Sequence, residues 1–85
     1  MATAVKPLLR LVLQPDGDVY MAACPDLDLV TEDDTPRKAL NNLIEMIQEY
    51  AEDFNAEFAL YSRSPNRAHH WSLLEPILAC KTNVR

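Results

Sequence analysis

Cys24-Pro25-Asp26-Leu27-Asp28-Leu29-Val30-Thr31-Glu32-Asp33-Asp34-Thr35-Pro36-Arg37-Lys38-Ala39-Leu40-Asn41-Asn42-Leu43 is the stretch on which the fold turns. Pro25 closes one extended segment, because it has no backbone N–H to continue a ladder. Leu27 to Thr31, with Leu27 and Leu29 alternating around Asp28, predicts a third short strand. Thr35 followed by Pro36 is a helix start: the hydroxyl caps a free N–H, and proline at the first helical position gives up a donor that has no partner there anyway. Asp33 and Asp34 stand where the helix dipole favours negative charge.

Working backward, Val5 to Gln14 predicts a strand with Leu9, Leu11 and Leu13 on one face. Pro7 suits its beginning or an edge. Gln14-Pro15-Asp16-Gly17-Asp18 predicts a turn, with Asp-Gly supplying the positive φ that a tight hairpin needs. Val19 to Cys24 returns as the second strand, and its Ala22 and Ala23 leave room for something to pack closely. The three runs form an antiparallel meander.

Working forward, Leu40, Leu43, Ile47, Tyr50, Phe54 and Phe58 recur every three or four residues, the stripe of a long amphipathic helix that frays between Asn55 and Tyr61. The other face carries Glu45, Gln48, Glu49, Glu52 and Asp53, acids without a Lys or Arg four residues on. That face is either solvated or a docking surface for a basic partner. Ser62 to Arg67 predicts a loop, His69 to Leu74 a short helical turn, and Ile77 to Thr82, after Pro76, a last strand. Trp71 is expected to pack on the sheet or on a neighbouring subunit. The expected fold is therefore α+β, with element order β-β-β-α-β and a single domain over 1–85.

Composition narrows the function. An 85-residue chain is marginal alone and gains from association. With exposed sheet edges as well, a homo-oligomer, in the simplest case a dimer, is expected. A net charge of −5 opposes nonspecific nucleic-acid binding and favours a basic protein partner. Arg63, Arg67, Lys81 and Arg85 are scattered over the tail, so no direct DNA binding is expected. A single Gly argues against a glycine-rich phosphate loop. Cys24 and Cys80 form no CxxC and suit free thiols in a reducing cytoplasm. The Leu8–Leu13 run is too short for a signal peptide, and no stretch approaches a membrane span.

No residue pattern carries catalysis. Asp26, Asp28, Glu32, Asp33 and Asp34 are dense but lack the calcium-loop spacing. His69 and His70 diverge in regular structure, and a zinc site would need ligands beyond them, for which only Cys24 and Cys80 are of the right type. The serines sit in no nucleophile elbow. No catalytic residue, metal or cofactor is expected.

The segment from Asp18-Val19-Tyr20 through Leu43 resembles the HicB antitoxins and HicB-like small proteins, over roughly residues 5 to 55. The matching residues are Tyr20, Ala22, Cys24, Pro25, Asp26, Leu27 and Asp28. They continue with Thr31, Asp33, Asp34, Thr35, Ala39, Leu40, Asn42 and Leu43. The chain departs from the family pattern at Asp33, where a Gly is usual, and at Arg37 and Lys38, where acids are usual. The resemblance implies a three-stranded sheet and helix similar to a partial RNase H fold. It also implies an antitoxin that masks a small basic mRNA-cleaving toxin (HicA-like). The C-terminal segment is too short for the family's usual DNA-binding module, which leaves an orphan HicB-like homo-oligomer with a structural or regulatory binding role as the alternative. On either reading the chain is no enzyme and acts in the cytoplasm. Asp28, Glu45, Glu49, Glu52 and Asp53 are the expected partner-binding residues.

Overall fold

The computed structural model describes residues 9–83, with side chains through Ala79. It consists of a three-stranded antiparallel sheet, β1 (Val12–Asp16), β2 (Val19–Cys24) and β3 (Leu29–Asp33), followed by helices α1 (Pro36–Ala56), α2 (Phe58–Tyr61) and α3 (Trp71–Asn83). The strands lie in the order β1-β2-β3, the expected meander. α1 crosses β2 and β3, and α3 packs against α1.

The hairpin turn is shorter than expected, being only Gly17 and Asp18 between the paired Asp16 and Val19. Gly17 has φ 65, a left-handed backbone at the first turn position that favours glycine. Pro15 is thereby inside β1, opposite Tyr20. It is tolerated because β1 is an edge strand and the pair next to the turn-closing one leaves its N–H side unbonded. Of the predicted Val5–Gln14 strand, residues 5–8 lie outside the described residues, and Leu9 to Leu11 are not in the strand. The ladder stops at Val12↔Ala23 because β2 ends at Pro25. Arg10 turns instead to Asp26: its backbone N–H donates to Oδ2 at 2.9 Å and its guanidinium to Oδ1 at 3.2 Å.

The third strand starts two residues later than Leu27. Pro25–Leu27 forms a 3-10 turn, which uses the fixed φ of proline and buries Leu27 at 2% exposure. Asp28 ends that turn in the left-handed region, φ 59 and ψ 38, its N–H bonded to Pro25 O at 3.2 Å. Asp is among the few non-glycine residues enriched in that region. Asp28 therefore sits at a corner, not on a strand.

Thr35 caps α1 as expected, its Oγ1 accepting from the Lys38 N–H at 3.1 Å. Asp33 braces the approach: Oδ1 accepts from the Asp34 N–H at 2.7 Å and Oδ2 from Asn42 Nδ2 at 2.7 Å. Leu43, Ile47 and Phe54 are buried, together with Ala39 and Ala51. The small alanines let α1 lie close on the sheet, where Ala22 is fully buried. Leu40 is half-buried, and Phe58, past a break at Glu57, belongs to α2 and is exposed. Each large apolar side chain fully buried here contributes about 1.5–3 kcal/mol. Burial also raises the pKa of the Cys24 thiol, which is free.

The tail departs most from expectation. Residues 77–82 belong to α3, not to a strand. Leu73, Leu74, Ile77 and Leu78 recur at helical spacing and pack into the core against α1. Pro76 lies inside this helix on an exposed position, where it removes one backbone hydrogen bond without displacing the apolar stripe. Within the chain Trp71 packs on α1 and α2, with Phe58 edge-on at 5.3 Å between centroids. It stacks on Phe54 at 5.1 Å between centroids, and Phe54 also stacks on Tyr61 at 5.1 Å.

Candidate functional site

Where the corner at Asp28, one flank of α1 and the start of α3 converge, they leave an open groove of about 470 Å³. Met46, Glu49, Tyr50 and Asp53 line it from α1. Their spacing of three, four and seven residues puts them on one side of a helix. Leu27, Asp28 and Leu29 form the facing wall, and Tyr61, Asn66, Arg67 and His70 close the end. The groove exists because α3 and the preceding loop fold back over α1.

Its innermost polar group is His70, 2% exposed. The Tyr50 hydroxyl lies 2.7 Å from His70 Nδ1. Burial raises the pKa of Tyr50, so the phenol keeps its proton, and we assign it as the donor to Nδ1. His70 is pushed below the usual imidazole range, chiefly by burial and then by His69 and Arg67, with Asp28 opposing. The neutral ring accepting at Nδ1 therefore carries its proton on Nε2. That Nε2–H has no hydrogen-bond partner among the described residues. It points toward Asp28 Oδ2 at 3.9 Å, beyond bonding distance, on a carboxylate that is itself 80% exposed. The Arg67 guanidinium lies over the rings of Tyr50, at 5.7 Å, and Tyr61, at 5.5 Å.

The expected partner-binding residues divide. Asp28, Glu49 and Asp53 surround this groove. Glu45 and Glu52 are exposed but lie about 100° farther round α1, by the 3.6-residue turn, and do not line it. The acidic cluster of 26–34 disperses: Asp26 pairs with Arg10, Asp33 holds the start of α1, and Glu32 lies beside Asp16 on the sheet. A side-chain hydrogen bond with Asp16 raises the Glu32 pKa, with desolvation and the like charge of Asp16 adding to it. No group of three His, Cys, Asp or Glu side chains among the described residues is placed to hold a metal.

Sequence reasoning missed Tyr50, Arg67 and His70 as groove residues. Tyr50 gave one signal: a tyrosine in a core stripe needs a partner for its hydroxyl. Nothing in the sequence says that the partner stands twenty residues later. His69 is exposed and His70 buried, but their side chains do not diverge as expected: the two rings meet edge to face with centroids 4.3 Å apart.

A family model described as PHD-like, antitoxins of RelE/RelB toxin–antitoxin systems, matches residues 7–84. A solved structure of the antitoxin part of a proposed toxin/antitoxin system from Syntrophomonas wolfei subsp. wolfei is similar, with TM-score 0.68 and 24% identity. The match covers 78% of this chain and 48% of that one, so the chain spans about half the length of that protein. At this identity the likeness concerns the fold. No curated protein matches. The family match agrees with the antitoxin class implied by the Cys24–Leu43 segment, and names RelE/RelB where the segment resembles HicB.

Proposed function

Since the chain belongs to the PHD-like family of antitoxins of RelE/RelB toxin–antitoxin systems, we propose that it binds and masks a small basic mRNA-cleaving toxin. The HicB resemblance of the Cys24–Leu43 segment supports a HicA-like toxin as that partner. The observation that carries the reading, beside the family, is an acidic surface on a chain of net charge −5. A protein that grips RNA must be basic, and an acidic antitoxin can cover the same surface while steering fast association. Action by occlusion needs no catalytic group and no cofactor. The partner-binding residues are Asp28, Glu45, Glu49, Glu52 and Asp53, acting in the cytoplasm where mRNA is cleaved. No helix among the described residues is long and apolar enough to cross a membrane.

Co-expression with the adjacent small basic gene tests this. The neighbour alone should stop growth, and the pair should restore growth and copurify. Glu49→Lys should weaken capture and make it less sensitive to salt. A neighbour that neither arrests growth nor binds removes the reading.

A second reading has its own observation. Val12, Ala23 and Val30 align across the sheet on the face away from α1, with Val12 38% and Val30 55% exposed. An apolar row on an open sheet favours self-association, as an orphan homo-oligomeric domain or as a dimeric antitoxin. Sedimentation at micromolar concentration separates these from a monomer.

A further inference from the structure

We infer that the groove between Asp28, α1 and the start of α3 is a receptor for one basic side chain of a peptide segment, whose neighbouring backbone carbonyl accepts the hydrogen bond that His70 Nε2–H lacks. Two independent observations meet there. The first is charge. Asp28, Glu49 and Asp53 surround the groove. Among the described residues that line it, the one cation, Arg67, is spread over the faces of Tyr50 and Tyr61. The second is the buried imidazole. A donor 98% removed from water is costly without an acceptor, and the nearest carboxylate oxygen stands 3.9 Å off.

A peptide answers both needs at once. An ammonium or guanidinium group meets the carboxylates through charge-assisted hydrogen bonds. The aliphatic stem of Lys or Arg lies against Leu27, Leu29 and Met46. The main-chain carbonyl beside that residue supplies the acceptor for Nε2–H. About 470 Å³ holds a side chain with a stretch of backbone, within the size range of ligand pockets. Phosphate or nucleotide ligands are disfavoured by the same carboxylates, and a free metal ion by the want of a third ligand within reach among the described residues. The assignment of the segment to a toxin rests on the function proposed above; the chemistry of the groove does not.

The probe is N-acetyl-arginine N-methylamide, followed by NMR of the ring protons of His70 and Tyr50. Its neutral isostere, the citrulline methylamide, is the control, and the Asp28→Asn/Glu49→Gln double variant is the test chain. Both substituted side chains are exposed, and Asn keeps the left-handed corner at 28. The arginine compound should shift the His70 and Tyr50 rings saturably. Citrulline, and arginine on the double variant, should bind about tenfold or more weakly, as the loss of charge-assisted hydrogen bonds implies. Equal shifts from citrulline, an undiminished response in the double variant, or no response at His70 overturns the inference. Capture of the co-expressed neighbour separates the two readings. If the double variant captures it as well as the native chain, the groove inference fails and the antitoxin reading stands. If the arginine compound binds but nothing is captured, the groove stands and the antitoxin reading fails.

Discussion

The two flanks of α1 do opposite things with the same helix. One flank, Leu43, Ile47, Ala51 and Phe54, is buried against the sheet and α3. The other, Met46, Glu49, Tyr50 and Asp53, borders a groove with charge at its rim and an unsatisfied imidazole at its base. The first flank is held by area, and almost any well-shaped apolar side chain would serve it. The second is held by one hydrogen bond, Tyr50 to His70, and its set of like charges gains nothing for the fold. Carboxylates gathered round a groove without gain to the fold, in a chain this small, are where binding is to be sought.

The comparison breaks most sharply on the core flank. Leu43→Asp buries an unpaired charge at a fully buried position and should abolish cooperative folding. Phe54→Ala removes a ring stacked on both Tyr61 and Trp71 and should cost about 3–5 kcal/mol. Urea denaturation followed by circular dichroism reads both. A near-native midpoint for either would mean that α1 is not the centre of the core.

This flank was legible because hydrophobic periodicity is a local property. The spacing from Leu40 to Phe54 and the Thr35-Pro36 cap are both written within a few residues of where they act. The tail was misread for the reason that makes the groove invisible. Pro76 is a strong local breaker, but the stripe of Leu73, Leu74, Ile77 and Leu78 finds a partner in α1, and that tertiary contact outweighs one missing hydrogen bond. The acids at Glu49 and Asp53 were found by charge. Their separation from Glu45 and Glu52 depends on where α3 folds back, and only the structure gives that. Asp28 was found for the wrong local reason, as a strand residue, and its left-handed corner is what turns it to the groove.

On the groove flank the largest stability effect should come from Tyr50→Phe. It keeps the ring and its packing on Phe54 and Tyr61 but leaves Nδ1 of a buried histidine without a donor. The cost should be about 1–3 kcal/mol. A double-mutant cycle with His70→Leu should show that the two losses do not add. Additive losses would mean that the 2.7 Å contact contributes nothing.

A smaller effect comes from pH. His70 has a folded pKa below its ordinary value of 6.5, because burial disfavours the imidazolium. Between those two values the unfolded chain binds the extra proton, so stability rises with pH there. The contribution is fully present above about pH 6.5 and is lost as pH falls through the folded value. Denaturation midpoints measured from pH 7.5 to 5 should decline, and the decline should flatten in His70→Gln. An unchanged slope in that variant would place the titrating group elsewhere.

The smallest effect on the fold should be the largest on recognition. Glu49→Gln with Asp53→Asn alters only exposed groove-side carboxylates, and Glu45→Gln with Glu52→Gln removes the same number of charges from the neighbouring face of the same helix. Surface changes of this kind shift Tm by no more than about 4 °C each in a domain of this size. Both pairs change net charge equally, so long-range steering falls by the same amount and association rates should drop together. They differ once the partner has docked. If the groove seats a basic side chain, only the Glu49/Asp53 pair should also raise the dissociation rate of the captured toxin, because only those carboxylates bond it at close range. Surface-binding kinetics at low and at ~150 mM salt separate the two. Equal dissociation rates for both pairs would mean that the acidic helix attracts its partner as a diffuse field, and that the two flanks of α1 differ in burial alone.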